Sequence, residues 1–364
     1  MRLVFLSLLL IAAPSPAQEP THAERAAADA ATRARVERVM TAAGASGGFA
    51  GNYAVAVGPR RIAGGSIGES APGVPFTYDA VFPWASVTKQ VVATMVMREV
   101  TDGRIALNAP ASRYMAELGR GPRSPTVREL LQHRSGLRNP DDSPRDAGGT
   151  PSFYAGGPTG IEWCLGARGT PGGAWRYNNC DYLLLGGILE RVRRRPLGEL
   201  LGARVLSPTG IRVRFAAAEA DGSPHSDWTG GPTPAERAML TRYGSAGSLL
   251  GTAEEMLAFD AGLLSGALLP ERERAELWRG DPKLGYQALG QWSFTAPLKG
   301  CAGPVRIVER RGAIGRFQVR NLIAPDQKVA AVMLTNRGED RLDFGEIWQG
   351  KGLSHDLLAA ALCP

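Results

Sequence analysis

The segments with strand character lie towards the two ends of this 364-residue chain, and helical patterns fill the stretch between them. Near the start, Tyr53, Val55 and Val57 alternate with small residues, a turn lies at Gly58-Pro59, and Ile62 opens a second strand, which reads as a hairpin. Near the end, Val305 to Arg310, Phe317 to Ala324 and Val329 to Thr335 have β character, with Pro325-Asp326 as the turn between the last two. Strands need partners, so this order predicts that the two ends of the chain meet in one α/β domain, residues 18–105 and 240–364. Residues 106–239 are then a mainly helical domain inserted into it.

The helices are marked by periodicity and by their ends. Ala23 to Ala43 is rich in Ala, Arg and Glu, has no breaker, and stops at Gly44 and Gly47. From about Pro83 the pattern turns helical: Val91, Val92, Met95, Val96 and Val100 share a face, and Gly103 ends it. Thr126-x-x-Glu129 is a capping box for a short helix. Asp181 to Val192 is a Leu-rich helix closed by Pro196, with a second short helix after it. Gly244-Ser245-Ala246-Gly247 reads as a turn before a helix from Thr252 to Leu264, and Ser354 to Leu362 is a final helix. Residues 139–174 are rich in Pro, Gly and Asp, and connections of that length are usually functional or mobile.

At 44% hydrophobic residues the chain is too apolar to be disordered. Its formal charge of +7 is dispersed, with no basic block longer than Arg193-Arg194-Arg195, which argues against a nucleic-acid surface. Arg2, the apolar run Leu3 to Ala13 broken only by Ser7, and then Ser15-Pro16-Ala17 have the three parts of a cleaved secretory signal, so residues 1–17 predict export to the periplasm or medium. That run is too short for a membrane span. In an exported chain, Cys164, Cys180, Cys301 and Cys363 predict two disulfides. Of three pairings, Cys164 with Cys180 and Cys301 with Cys363 closes the shorter loops. The four His residues are too far apart to suggest zinc, and neither metal nor organic cofactor is expected.

Three segments carry chemistry. Ser86-Val87-Thr88-Lys89 opens the apolar helix, and residues three apart on a helix share a face, so a hydroxyl and an amine meet there. A desolvated Lys near a helix start has its pKa depressed and can act as the base an ordinary Ser needs. The same pair could be a helix start with a solvated charge, so context decides. Tyr177-Asn178-Asn179 follows the turn Pro171-Gly172-Gly173 and presents a phenol and an amide, and Arg310-Arg311-Gly312 ends a strand. His133, beside a helix end, reads as a packing or capping residue. Gly64-x-Ser66-x-Gly68 imitates a nucleophile elbow, but the two prolines between Glu69 and Tyr78 deny it the helix such an elbow needs.

Together the three segments resemble the serine β-lactamase and penicillin-binding superfamily, most closely its class C-like branch of β-lactamases, D-stereospecific peptidases and esterases. The likeness runs from about Tyr53 to Thr335 and includes Thr126 to Leu137 and Tyr243 to Phe259. It implies an α+β fold of the β-lactamase/transpeptidase type, an antiparallel sheet flanked by N- and C-terminal helices with a helical insertion. It further implies Ser86 as acylated nucleophile, Lys89 as base or proton relay, and Tyr177 as the general acid and base. Asn179 would bind the substrate amide and Lys89, and the backbone N–H groups of Ser86 and Ala313 would form the oxyanion hole. The third segment departs from the family, which usually has Lys or His first and Thr or Gly next. Arginine stays charged, so Arg310 would be a fixed positive charge able to hold a substrate carboxylate bidentately, which argues against efficient β-lactam turnover. Arg311, in place of a small residue, would narrow the site beside Gly312. The expected activity is that of a serine hydrolase on small esters, D-amino-acid or peptidoglycan-type amides, or β-lactams. The competing expectation is a penicillin-binding sensor that acylates and stalls, or a pseudoenzyme.

Overall fold

The computed structural model describes residues 21–119, 123–157, 160–166, 169–219, 221–338 and 344–364. The expected export signal at residues 1–17 lies outside them. Six strands form one antiparallel sheet in the order Arg60–Ile67, Gly51–Val57, Val329–Thr335, Phe317–Ala324, Val305–Ile314, Trp292–Ala296. The two ends of the chain are directly paired, with Gly51 opposite Thr335 and Val57 opposite Val329. The chain has the α+β fold that the resemblance implies.

Side-chain alternation along the strands gives the sheet two buried faces. Tyr53, Val55, Ile307, Leu322 and Met333 pack on one side, against Val36 and Met40 of the helix His22–Ala45 and Leu357 and Leu358 of the helix Leu353–Leu362. Ala54, Val308, Val319, Val332 and Leu334 face the other way, into a larger core shared with the helices Thr88–Thr101 and Asn179–Arg193. The first of those helices is buried along nearly its whole length, and its polar side chains Thr88, Lys89, Gln90, Thr94 and Glu99 are buried together with the apolar ones.

Several elements differ from expectation. The helical pattern read from Pro83 begins as a 3-10 turn, Ala85–Val87, because Phe82–Pro83 pairs instead with Leu250–Gly251. Trp292–Ala296 adds an edge strand that five residues of mixed polarity do not announce. Gly244 to Gly247 is no simple turn. A helix Pro234–Gly247, opened by a Thr233/Glu236 capping box, runs through it and is broken only at Gly244, whose φ of 44° and ψ of −133° suit glycine alone. Gly64, Ser66 and Gly68 lie in a sheet strand and its turn, with a further strand, Glu69–Ala71, and no helix after them.

Both disulfides form, Cys164 to Cys180 and Cys301 to Cys363. Closing loops of 16 and 62 residues corresponds in the chain-entropy model to stabilisation of roughly 3 and 4 kcal/mol. The first bond has a local consequence as well. Cys180 belongs to the helix Asn179–Arg193 and Cys164 to the long 139–174 connection, so the connection is tied beside Asn179. Among the described residues no helix is long and apolar enough to cross a membrane.

Candidate active site

Ser86 lies on the turn between Phe82–Pro83 and the helix Thr88–Thr101. The residue before it, Ala85, has φ 46°, a left-handed conformation that costs an alanine roughly 1–3 kcal/mol and persists only where surroundings fix it. The strand Val305–Ile314 supplies part of that constraint. At Gly312 a Cβ atom would stand 2.6 Å from the Trp84 carbonyl oxygen, 3.1 Å from Ala85 Cβ and 3.2 Å from the Ser86 nitrogen, so only glycine lets the strand lie this close. Ala313 follows it, paired opposite Gln318.

One helical turn on, Lys89 is completely buried. Its Nζ lies 3.2 Å from Ser86 Oγ and 2.6 Å from the Tyr177 hydroxyl, and those two hydroxyls are 2.5 Å apart. Nζ also donates to Asn179 Oδ1 at 2.7 Å and to the Ala246 carbonyl at 2.6 Å. Both of these groups can only accept, so they take two N–H bonds. A neutral amine is then left with its lone pair directed at the hydroxyls, and a protonated one with a single hydrogen for them. The Asn179 orientation is fixed by its other end, where Nδ2 donates to the Tyr154 hydroxyl at 2.9 Å and points at the Asp141 carboxylate.

Tyr177 and Asn179 are held by the residue between them. Asn178 caps the helix Asn179–Arg193 by accepting from Cys180 N at 2.9 Å, and its Nδ2 donates to the Leu137 carbonyl at 2.8 Å. Asn139, on the long connection, accepts from Asn179 N at 3.1 Å and donates to the Tyr177 carbonyl at 3.3 Å. His133 is buried beneath Tyr177 with ring centroids 4.7 Å apart, and its Nδ1 accepts from Asn178 N. Burial, then the charges of Arg310 and Lys89, hold this imidazole well below its ordinary pKa, so it packs as a neutral ring.

Arg310 and Arg311 part company because strand residues alternate. Arg310 is buried, donates from Nε to the Ser86 carbonyl at 2.9 Å and from Nη2 to the Tyr177 hydroxyl at 3.3 Å, and leaves Nη1 without a partner. With two of its donor nitrogens engaged, the bidentate hold on a carboxylate expected of it is not open in this arrangement. Arg311 points to the opposite face of the sheet, where Glu309 and Glu346 pair with it. It therefore does not narrow the site, contrary to the expectation from sequence.

Burial is the first cause holding the Lys89 amine well below its ordinary pKa, and the Arg310 charge is the second, with Asp141 and Asp181 opposing. Burial raises the Tyr177 phenol, while Arg310 and the Ser86 hydrogen bond pull it back. An amine pushed towards its neutral form thus touches a phenol and a serine hydroxyl, and the three can pass one proton among them. Four further groups at the site, Asn139, Asp141, Tyr154 and Ala246, carry no recognisable signal of their own. Three of them lie in the long Pro/Gly/Asp-rich connection, and its length was the available clue.

A model of the family described as Beta-lactamase matches residues 34–351. Among relatives, the esterase EstB of Burkholderia gladioli is 26% identical, over 65% of this chain and 70% of its own. The D-alanyl-D-alanine-carboxypeptidase/endopeptidase AmpH of Escherichia coli K12 is 24% identical, over 75% of each chain. Among solved structures, a D-stereospecific amidohydrolase from Streptomyces sp. has a similar fold, with a TM-score of 0.69 at 21% identity, covering 91% of this chain and 98% of that one.

Proposed function

The chain belongs to the Beta-lactamase family, and from that premise we propose that it is an exported serine hydrolase working through an acyl-enzyme on Ser86. The observation that carries this reading is the contact of Ser86 Oγ, Tyr177 OH and the buried Lys89 Nζ within 3.2 Å of one another. In acylation, Ser86 Oγ bonds to the acyl carbon while its proton passes to the Tyr177–Lys89 pair. Charge on the carbonyl oxygen is met by the backbone N–H groups of Ser86 and Ala313. The bond to the leaving group then breaks, and that group takes the proton from Tyr177. Water next adds to the acyl carbon, giving a proton to the pair, and Ser86 Oγ departs and recovers it. Asn179 steadies the Lys89 amine, and Arg310 supplies a fixed positive charge at Tyr177. Its Nη1 has no partner and is itself buried.

The esterase and the carboxypeptidase among the relatives support small esters and D-amino-acid amides as substrate classes. Export is supported by the character of residues 1–17 and by the two disulfides. The test is the intact mass of the mature protein and of Ser86→Ala after brief exposure to a fluorescent penicillin, nitrocefin and p-nitrophenyl acetate, with product release followed. An adduct on the parent alone, with turnover of one probe, is expected. A persistent adduct without product would indicate a sensor, and no adduct from any probe overturns the reading.

The role given to Arg310 makes a pH prediction. Its charge lowers both the Lys89 and the Tyr177 pKa, so Arg310→Met is expected to let the pair hold its proton to higher pH. The acid limb of the kcat/KM profile for p-nitrophenyl acetate should then move upwards. An unmoved limb would show that the guanidinium does not tune the proton relay.

A further inference from the structure

Arg310 is a buried cation bonded to neutral groups. Its guanidinium is 1% exposed, is hydrogen-bonded to the Ser86 carbonyl and the Tyr177 phenol rather than to a carboxylate, and leaves Nη1 unbonded. Burying a charge in this way is costly unless something compensates. Two aromatic faces do so. The guanidinium carbon lies over the Tyr177 ring, 5.5 Å from its centroid, and over the Trp292 ring at 5.3 Å. Both distances are within the range of a cation–π contact, which strengthens as the cation loses water. Trp292 opens the edge strand Trp292–Ala296, opposite Glu309, and is half-buried.

The two rings are also fastened to each other. Gln287 is fully buried and bridged through its backbone to Trp292. Its side chain donates from Nε2 to the Gln291 carbonyl at 3.1 Å and accepts at Oε1 from Trp175 Nε1 at 3.2 Å. Trp175 lies two residues before Tyr177, and both of their rings stand against His133. Arg311 lies over Trp292 as well, at 5.9 Å, but Glu309 and Glu346 already neutralise that arginine. Arg310 is therefore the charge for which the Trp292 ring matters most.

We propose that Trp292 is a positioning residue for the proton relay, holding the Arg310 guanidinium beside Tyr177 and keeping water from it, so that the arginine charge acts unscreened on the Tyr177–Lys89 pair. The inference rests on the reading of Ser86, Tyr177 and Lys89 as that relay and of Arg310 as the charge that tunes it. The charged and titratable groups around the pair are Arg310, Asp141, Asp181, His133 and Tyr182. At Lys89 the two carboxylates oppose Arg310, and His133 is held neutral. Weakening the arginine charge leaves the carboxylates less opposed, so the pair keeps its proton to higher pH.

The experiment reads the acid limb of kcat/KM for p-nitrophenyl acetate in the parent, Trp292→Leu, Arg310→Met and the double variant. Trp292→Leu is expected to move the limb upwards by roughly half a pH unit, a loss of about threefold at a fixed pH on it, the size of one desolvated cation–π contact. Trp292→Phe keeps a ring and should stay close to the parent. Arg310→Met should move the limb further, and adding Trp292→Leu to it should move the limb no more, because the tryptophan acts through the arginine. Should Trp292→Leu fail to fold, Trp292→Met fills more of the space without a ring and is read in the same way. An unmoved limb in the Trp292 variant beside a moved one in Arg310→Met overturns this inference alone. So does an equal further shift in the double variant, which would mean that the ring only shields the site. A limb unmoved in Arg310→Met overturns it together with the role given to Arg310. Absence of any Ser86 adduct overturns the serine-hydrolase reading, and this inference with it.

Discussion

Lys89→Met is expected to lower kcat/KM about a thousandfold or more on any ester the parent hydrolyses, the range lost with a general base. Methionine fills the space of the lysine stem, so the loss isolates the amine. Without it Ser86 and Tyr177 still touch, but neither hydroxyl has a group to take its proton near neutral pH. The variant also leaves the Asn179 Oδ1 and Ala246 acceptors without their donor, which opposes the relief of no longer burying an amine. The two stability effects can be separated by pH. The native Lys89 pKa lies well below its ordinary 10.5, so between those values the unfolded chain binds a proton that the native chain does not. Native stability from this group therefore rises with pH in that window. In urea unfolding at pH 7 and pH 10, the difference between Lys89→Met and the parent should shift in the parent's favour at the higher pH. A constant difference would mean that Lys89 is protonated in the folded protein, and unchanged kcat/KM would remove it from the relay.

Gly312→Val is expected to abolish acylation of Ser86, measured as adduct formation with p-nitrophenyl acetate. It should also cost about 1–3 kcal/mol of stability, the range for forcing atoms into a packed interior. The added atoms would meet the Trp84 carbonyl and Ala85 Cβ, both on rigid, buried backbone rather than on flexible side-chain ends. The strand or the serine turn must give way, and the turn already holds Ala85 at positive φ. Either movement pulls the Ala313 N–H away from Ser86 and spoils the proposed oxyanion hole. Gly312→Ala should show a milder form of both effects. Normal adduct formation in Gly312→Val would mean that the close approach of this strand is not needed for catalysis.

Much of the site was legible because its chemistry is local. Ser86 and Lys89 are one helical turn apart, so their meeting follows from helix geometry. Tyr177 and Asn179 flank a helix cap, which fixes both relative to one helix start. Arg311 was misread because a strand sends neighbours to opposite faces, and only the pairing of Glu309 and Glu346 with it identifies which face it took. Gly244 to Gly247 was misread because glycines mark a break without saying whether helix continues beyond it.

By itself the sequence determined most of the long helices, the hairpin, the strands that close the sheet and the spacing that brings Ser86 and Lys89 together, since each depends on periodicity, caps or spacing within a few residues. The tertiary structure decided what depends on distance across the chain. It brought the Ala246 carbonyl to Lys89, aimed Arg310 at Tyr177 and turned Arg311 away, and it set Asp141 beside Asn179. Those contacts join residues dozens to more than a hundred positions apart, and their effect on pKa comes from burial and charge in a shared interior, which no local pattern encodes.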